Sequence, residues 1–281
     1  MPAEASERLL YKAQPLEPGY NPIAGPQNAD LSLLELGRVC LPSGGSWEVE
    51  TGGRELCFTI LSGRGSFRVR PEGRGRELYA DAGDRPDVFS GDPTMVYAPR
   101  NAHVRVEAGS GGLDAAVFAA PARRDTSPTC IRAAEQKRRS FGAANWRREA
   151  CIGLGEEVEA DRLLVGETYN LPGSWSSYPP HKHDTSHPPQ EEPYEEIYLF
   201  MIDPPQGFGL QRIYTDAAEP DRLDQGLVVE HGDAVVIPRG YHPVVAAPGY
   251  RLYYLWGLAG SGRRFGSWSD DPAHTWIREL E

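Results

Sequence analysis

The chain is poor in cysteine. Its four, Cys40, Cys57, Cys130 and Cys151, are scattered through 281 residues with no CxxC pair among them. A disulfide framework is thereby excluded, and four buried free thiols in a reducing compartment are expected. Positive charge is also in deficit. Twenty-nine Lys and Arg face forty Asp and Glu, giving a net charge of −11 and a pI near 5.2. Such a surface repels polyphosphate, so no nucleic-acid partner is expected. The chain lacks any uncharged apolar run of ~18 residues, the length a membrane span requires, and its first nineteen residues contain no apolar signal segment. A cytoplasmic protein with no membrane partner follows as the expectation. Glycine (31) and proline (25) are abundant, as a fold of short antiparallel strands and many turns requires.

Short β-rich pieces fill the region to about residue 120: Glu55–Leu61, Ser66–Arg70, Thr94–Ala98 and Ala102–Glu107, with glycine-rich turns between them. Residues 121–150 differ. The helix-friendly run from Ile131 to Arg139 and the stretch Asn145 to Arg148 predict a short helix and a connector, with Lys137-Arg138-Arg139 as a solvated face or inter-domain contact. The β pattern resumes over 151–281, with strands expected at Arg162–Tyr169, Glu196–Ile202, Gly207–Tyr214, Gly226–Glu230, Ala234–Ile237 and Arg251–Gly257. The halves echo each other. Gly91-Asp92 leads through Met95-Val96-Tyr97 to Pro99 and His103, as Gly232-Asp233 leads through Val235-Val236-Ile237 to Pro238, Gly240 and His242, which suggests duplication of one barrel unit.

His181-Lys182-His183 carries the most chemistry. In an extended strand, residues i and i+2 share a face, so both imidazoles can aim at one point. Glu196 begins the next strand, and His242 follows a Pro-Arg-Gly turn. Three imidazoles and a carboxylate suit one borderline divalent ion, Zn, Mn, Fe or Ni, with remaining positions for water or substrate oxygens. Glu195, Glu191 and Glu192 are rivals to Glu196, which strand alternation with Tyr198 favours. His187 is expected in solvent. In the first half Glu55 and His103 are kept, but Glu48-Val49-Glu50 or Thr51-Gly52-Gly53 stands where the histidine pair should fall. That half is expected to bind no metal and to serve packing or assembly of a homo-oligomer.

The spacing from Gly232 through Pro238 and Gly240 to His242 resembles the second cupin motif, and His181-x-His183 followed by Glu196 resembles the first, though with a longer interval of thirteen residues filled by an acidic, proline-rich loop. More specifically, the run from Gly173 to Asp184, GSWSSYPPHKHD, resembles the 5-deoxy-glucuronate isomerase family, as do Glu195-Glu196-Ile197-Tyr198, Pro204 to Phe208, Gln211 to Asp216, Pro238 to Pro243, Tyr253-Tyr254-Leu255 and Asp271-Pro272-x-His274-x-Trp276. The matching runs cover most of residues 145 to 277.

The resemblance implies an all-β bicupin: two double-stranded β-helix (jelly-roll) barrels, 1–120 and 151–281, joined by a short helical connector. It implies a small acidic sugar as substrate. One divalent metal ion would promote aldose-to-ketose isomerisation of 5-deoxy-D-glucuronate through an enediolate, in myo-inositol catabolism. Tyr198, Tyr214, Tyr241, Lys182 and Glu195 stand as candidates for proton transfer. Arg212, with Gln211 beside it and Lys182 as rival, is expected to take the substrate carboxylate, since a guanidinium matches a carboxylate with two parallel hydrogen bonds. The chain departs from the family at Leu199-Phe200-Met201 and at Trp256, where polar groups are expected. A related uronate ketol-isomerase, an iron dioxygenase and a non-catalytic sugar-binding cupin are the alternatives.

Overall fold

A computed structural model of the chain describes residues 8–73 and 77–280. Strands dominate it, and among the described residues helical structure is confined to short 3-10 turns. No helix there is long and apolar enough to cross a membrane, and all four cysteines are free thiols.

The first half is built on two long strands, Arg54–Pro71 and Ala102–Pro121, which pair along nearly their whole length. The glycine-rich stretch expected to separate Glu55–Leu61 from Ser66–Arg70 does not end a strand. The register slips between Ile60 and Ser62 and again between Gly63 and Gly65, so the chain bends through bulges and continues. Six more strands complete this sheet, among them Glu35–Leu41 and Met95–Ala98. Its alternate residues, including Phe58, Ile60, Phe67, Val104 and Val106, fill the barrel.

The second half holds a seven-stranded sheet. Its order is Leu10–Tyr11, Ala234–Ile237, Tyr194–Asp203, Arg251–Gly260, Leu163–Asn170, Arg148–Leu154, Arg138–Phe141. Facing it is a four-stranded sheet of Trp175–Ser176, Val244–Ala246, Phe208–Tyr214 and Asp224–Glu230. The strands nearest the other barrel are apolar on both faces. In Tyr194–Asp203, Tyr198, Phe200 and Ile202 point into the second barrel, while Ile197, Leu199 and Met201 join Cys57, Tyr97 and Phe118 in a cluster shared by both halves. Two-sided burial is why this segment reads as a continuous apolar run in the sequence.

The connector is mostly extended. Thr129–Ile131 pairs with Met95–Ala98 of the first sheet, Ala133–Glu135 and Ala144–Trp146 are single 3-10 turns, and Arg138–Phe141 becomes the edge strand of the second sheet. The helix expected from Ile131 to Arg139 therefore shrinks to one turn, because pairing with both sheets satisfies the backbone instead. Within the basic run, Arg138 bridges Asp92 of the first half and Glu149 of the second and lies over the Tyr169 ring.

Two carboxylates tie the halves reciprocally. Glu55 is fully buried and accepts backbone N–H groups from Asp161, Arg162 and Leu163 at 2.7, 2.7 and 2.8 Å, with the Tyr97 hydroxyl at 2.6 Å. Glu195 accepts the N–H groups of Ser32, Leu33 and Leu34 at 2.6, 2.8 and 2.9 Å. The registers match as well. Glu195 faces Ala259 and Glu55 faces Ala120, while Glu196 faces Ile237 and Leu258 where Leu56 faces Ala98 and Ala119. Glu55 is thus the counterpart of Glu195, and an apolar Leu56 holds the place of Glu196. This corrects the equivalence of Glu55 and Glu196 suggested by the echo of the two halves.

Candidate metal centre

His183, Glu196 and His242 converge inside the second barrel, each buried, with ligating atoms all within 4.8 Å of one another. His183 Nε2 lies 3.1 Å and His242 Nε2 3.3 Å from the same oxygen, Glu196 Oε2. Donors held at ~2.1 Å around a tetrahedral ion stand about 3.4 Å apart, so these separations suit one cation.

Each ligand is aimed by its local backbone. His181–Lys182 pairs with Ser269–Asp270 near the C-terminus, and the Tyr194 N–H returns to the His183 carbonyl at 2.8 Å. The long loop between is therefore a closed excursion, pinned by Glu191, whose carboxylate accepts the N–H groups of Asp184 and Thr185 at 3.0 and 2.9 Å. That closure lets a thirteen-residue interval place Glu196 where a shorter one would. Glu191 is spent on the loop and Glu192 accepts the Tyr194 hydroxyl, so neither rival joins the cluster; His187 is exposed. His242 is presented by the Pro-Arg-Gly turn. Gly240 has φ of +88°, and a Cβ there would stand 2.6 Å from the Tyr214 carbonyl oxygen, which only glycine avoids.

Hydrogen bonds settle which nitrogen faces inward. His183 Nδ1 lies 3.1 Å from the Tyr194 carbonyl and His242 Nδ1 2.9 Å from that of Gly240. Donation from Nδ1 there would leave each Nε2 to face an ion at the centre, the anchoring that metal-ligating imidazoles ordinarily have; without one, His183 Nε2 hydrogen-bonds Glu196 Oε2. His242 Nε2 is buried and finds no hydrogen-bond partner. Burial pushes the His242 imidazole down to about 4, against the pull of Glu196. Burial and then the neighbouring His242 and His183 hold His181 well below the ordinary histidine value. For His183 burial is outweighed by Glu196, which raises it. Two imidazoles are thus held neutral, as ligands must be.

His181 stands beside the triad rather than within its 4.8 Å envelope. Its ring lies 4.8 Å from that of His242 and stacks on Trp268 at 4.7 Å.

A cavity opens onto the cluster, walled by one face of the seven-stranded sheet and by the C-terminal segment. Glu196, Tyr198, Tyr254, Trp256, Thr168 and Arg148 come from the sheet, and Phe265 and Trp268 close the other side. Tyr198 is the one proton-transfer candidate from the sequence that lines it. Its hydroxyl is 3.1 Å from Ser177 Oγ and its ring stacks on Tyr254 at 4.4 Å. Burial, with Glu196 nearby, pushes the phenol well above its ordinary value. Ser177 itself holds φ of +49°, a left-handed conformation uncommon outside glycine.

The other candidates lie elsewhere. Arg212 is on the outer face of Phe208–Tyr214, half exposed and bidentate to Asp224 at 2.9 and 3.0 Å. Strand alternation turns it away from the barrel that its neighbour Gln211 enters; Gln211 is buried with both amide atoms unpartnered. Lys182 points away from the histidines to Asp184, Thr185 and Glu191. Tyr214 donates to Asp271 at 2.7 Å and Tyr241 to Asp216 at 3.3 Å, outside the cavity wall. Glu195 is occupied by the inter-barrel clamp. Of the departures, Leu199 packs in the shared cluster, Phe200 in the barrel core, and Trp256 alone faces the cavity, its Nε1 donating to Thr168 Oγ1 at 3.2 Å.

Two jelly-roll halves, one of them carrying a buried histidine–glutamate cluster that borders a cavity, define a bicupin with one candidate metal centre among the described residues. An oxalate decarboxylase from Lactobacillus farciminis shares the fold, at 13% identity and a TM-score of 0.68 over 92% of this chain and 88% of that one. The chain belongs to the KduI/IolB family, whose model matches residues 10–277. It is similar to a protein named 5-deoxy-glucuronate isomerase from Geobacillus thermodenitrificans, 37% identical over 276 residues, covering 98% of this chain and 97% of that protein. A protein of the same name from Bacillus subtilis subsp. natto is 35% identical over 90% of both. The crystal structure of an IolB-like protein from Salmonella typhimurium LT2 superposes with a TM-score of 0.87 at 33% identity, over 96% of this chain and 99% of that one.

Proposed function

We propose that this chain is a metal-dependent aldose–ketose isomerase that converts 5-deoxy-D-glucuronate to 2-deoxy-5-keto-D-gluconate, as a step of myo-inositol catabolism. The names of its relatives support the reaction. The metal requirement rests on one observation: His242 Nε2, buried and partnerless, faces Glu196 with its other nitrogen tied to backbone.

His183, Glu196 and His242 would hold the ion, with His181 alongside as a further donor. A bound divalent ion supplies Lewis acidity, polarising the substrate carbonyl and acidifying the adjacent C–H. Tyr198 keeps its proton at neutral pH and can donate a hydrogen bond to a substrate oxygen as charge develops there, while Ser177 fixes the direction of its hydroxyl. Trp256, Phe265 and Trp268 wall the cavity with rings and limit water around the transferring proton. The apolar Trp256 at a position expected to be polar favours including other deoxy-uronates in any substrate survey.

The test is elemental analysis of the purified protein together with an isomerase assay on 5-deoxy-glucuronate, repeated for His242→Ala. Near-stoichiometric metal in the wild type, with loss of both metal and turnover in the variant, is expected. Full metal content and turnover in His242→Ala would refute the proposed centre.

A further inference from the structure

Asp184 directly follows His183, yet its carboxylate stands outside the group of donor atoms that fits one ion. Both of its oxygens are engaged. Oδ2 accepts the Gly240 N–H at 2.7 Å, while Oδ1 accepts the Lys182 ammonium and, at 2.9 Å, the Thr185 hydroxyl. Its backbone N–H is held by Glu191 at 3.0 Å. Together these bonds fix the direction of the side chain.

The bond to Gly240 spans 56 residues of chain and joins the two segments that present His183 and His242. Gly240 is where His242 takes its aim, because the Gly240 carbonyl accepts His242 Nδ1 at 2.9 Å. A glycine at φ of +88° does not restrict its own dihedrals, so its partners must. The Tyr214 carbonyl accepts the Tyr241 N–H at 2.8 Å and holds the peptide after Gly240; Asp184 holds the peptide before it. The first barrel braces the same turn differently. Asn101 stands there at the place of Gly240, also at positive φ, and donates its N–H to the Gly52 carbonyl at 2.6 Å, where no histidine pair is present. In the second barrel the backbone acceptor is replaced by a side chain one residue beyond a histidine, so the brace links the setting of one imidazole to that of the other.

We infer that Asp184 is a positioning residue of the metal centre: through Gly240 it fixes the ring of His242 and its spacing from His183, and so sets the affinity for the divalent ion. The inference rests on the metal-dependent reading of the site. The two Nε2 atoms already stand 3.1 and 3.3 Å from one oxygen of Glu196, a spacing that small rotations of the His242 ring would spoil. An outer hydrogen bond that holds a ligating group in place is ordinarily worth about 10- to 100-fold in metal affinity.

The experiment titrates metal-free wild type, Asp184→Ala and Asp184→Asn with Zn²⁺ against a competing chelator. The tautomer of His242 is read in the same metal-free proteins by nitrogen NMR of histidine-labelled samples, its signal assigned by its loss in His242→Ala, and thermal midpoints are measured in parallel. Asp184→Ala is expected to raise the Zn²⁺ dissociation constant about 10- to 100-fold and to shift His242 from one Nδ1–H tautomer towards a mixture. Asp184→Asn, whose amide oxygen can still accept the Gly240 N–H, is expected to restore most of both. An unchanged dissociation constant in folded Asp184→Ala overturns the inference. Weaker binding with an unchanged His242 signal overturns it too, since that pattern marks a general loosening of the loop. If Asp184→Ala does not fold, Asp184→Ser, polar but too short to reach Gly240, is judged by the same criteria. A wild type that binds no Zn²⁺ sinks the metal-centre reading instead, and the His242 tautomer then decides alone: altered in Asp184→Ala it supports the positioning role, and unchanged it overturns it.

Discussion

Replacing Glu55 tests the claim that the first barrel's glutamate is a clamp and not a relic of a metal site. In Glu55→Ala, Oε1 no longer receives the N–H groups of Arg162 and Leu163, both buried, and Oε2 no longer receives that of Asp161 or the Tyr97 hydroxyl. Tyr97 retains Thr126 as a partner at 2.7 Å, so its loss is the smallest. Each buried donor left unsatisfied costs about 1–3 kcal/mol, so two buried N–H groups and a partly buried third give roughly 4–6 kcal/mol. For a chain of this size that corresponds to a fall of about 10–20 °C in Tm. Glu55→Gln should lose about half as much, since one amide oxygen can keep one pair of donors while its NH2 confronts the other. The assay is thermal unfolding followed by circular dichroism, with metal content measured on the same samples. Metal should be unchanged, because the counterpart of Glu196 is Leu56. A Glu55→Ala protein that melts with the wild type, or one that folds normally but releases metal, would refute the reasoning.

Tyr198→Phe should lower kcat by about 100-fold, within the range for removal of a positioned proton donor, while metal content stays at the wild-type level; wild-type turnover would remove Tyr198 from the chemistry. Arg212→Ala should leave the KM for the acid unchanged and cost no more than about 1 kcal/mol in chemical denaturation, since its pair with Asp224 is half in water. Asp161 supplies a pH dependence. Burial would raise its carboxyl, but the Arg123 backbone N–H and the Arg124 side chain win and hold it below 3.8. A carboxylate lowered in the folded state stabilises above its unfolded value and stops doing so as pH falls through the folded one. The stability gap between wild type and Asp161→Asn should therefore be full at neutral pH and close below 3.8, and a gap that widens in acid would contradict the assignment.

The buried histidine–glutamate cluster is legible in the sequence, with His181 set beside it and not within it. Period-two geometry announces His181 and His183, and the Pro-Arg-Gly turn announces His242, because both signals are local. Glu196 needed the strand alternation with Tyr198 to separate it from Glu195, and there the pattern sufficed. In the first barrel the same reasoning slipped by one residue. Arg54–Pro71 is buried on both faces where it begins, so apolar alternation does not say whether Glu55 or Leu56 faces inward, and only pairing with Ala98 and Ala120 decides. The bend at Gly63 to Gly65 looked like a strand end because glycine marks turns and bulges alike. Arg212 looked like the carboxylate partner by residue type; its direction depends on which side of the strand is solvent. Arg148 gave no signal, since it lies in a stretch whose composition favours helix and which only sheet pairing draws into the cavity wall.

The apolar seam between the barrels has an implication for how such a chain can change over time. A fragment starting at residue 151 would lose Leu10–Tyr11 from the edge beside Ala234–Ile237 and would expose Leu163, Val165, Ile197, Leu199 and Leu255 to water. The half without a histidine pair therefore cannot be discarded as the unused copy of a duplication. It persists as the second wall of a common interior, and mutations at Cys57, Tyr97 or Phe118 should be felt at a histidine–glutamate cluster they never touch, through the strand that carries Glu196.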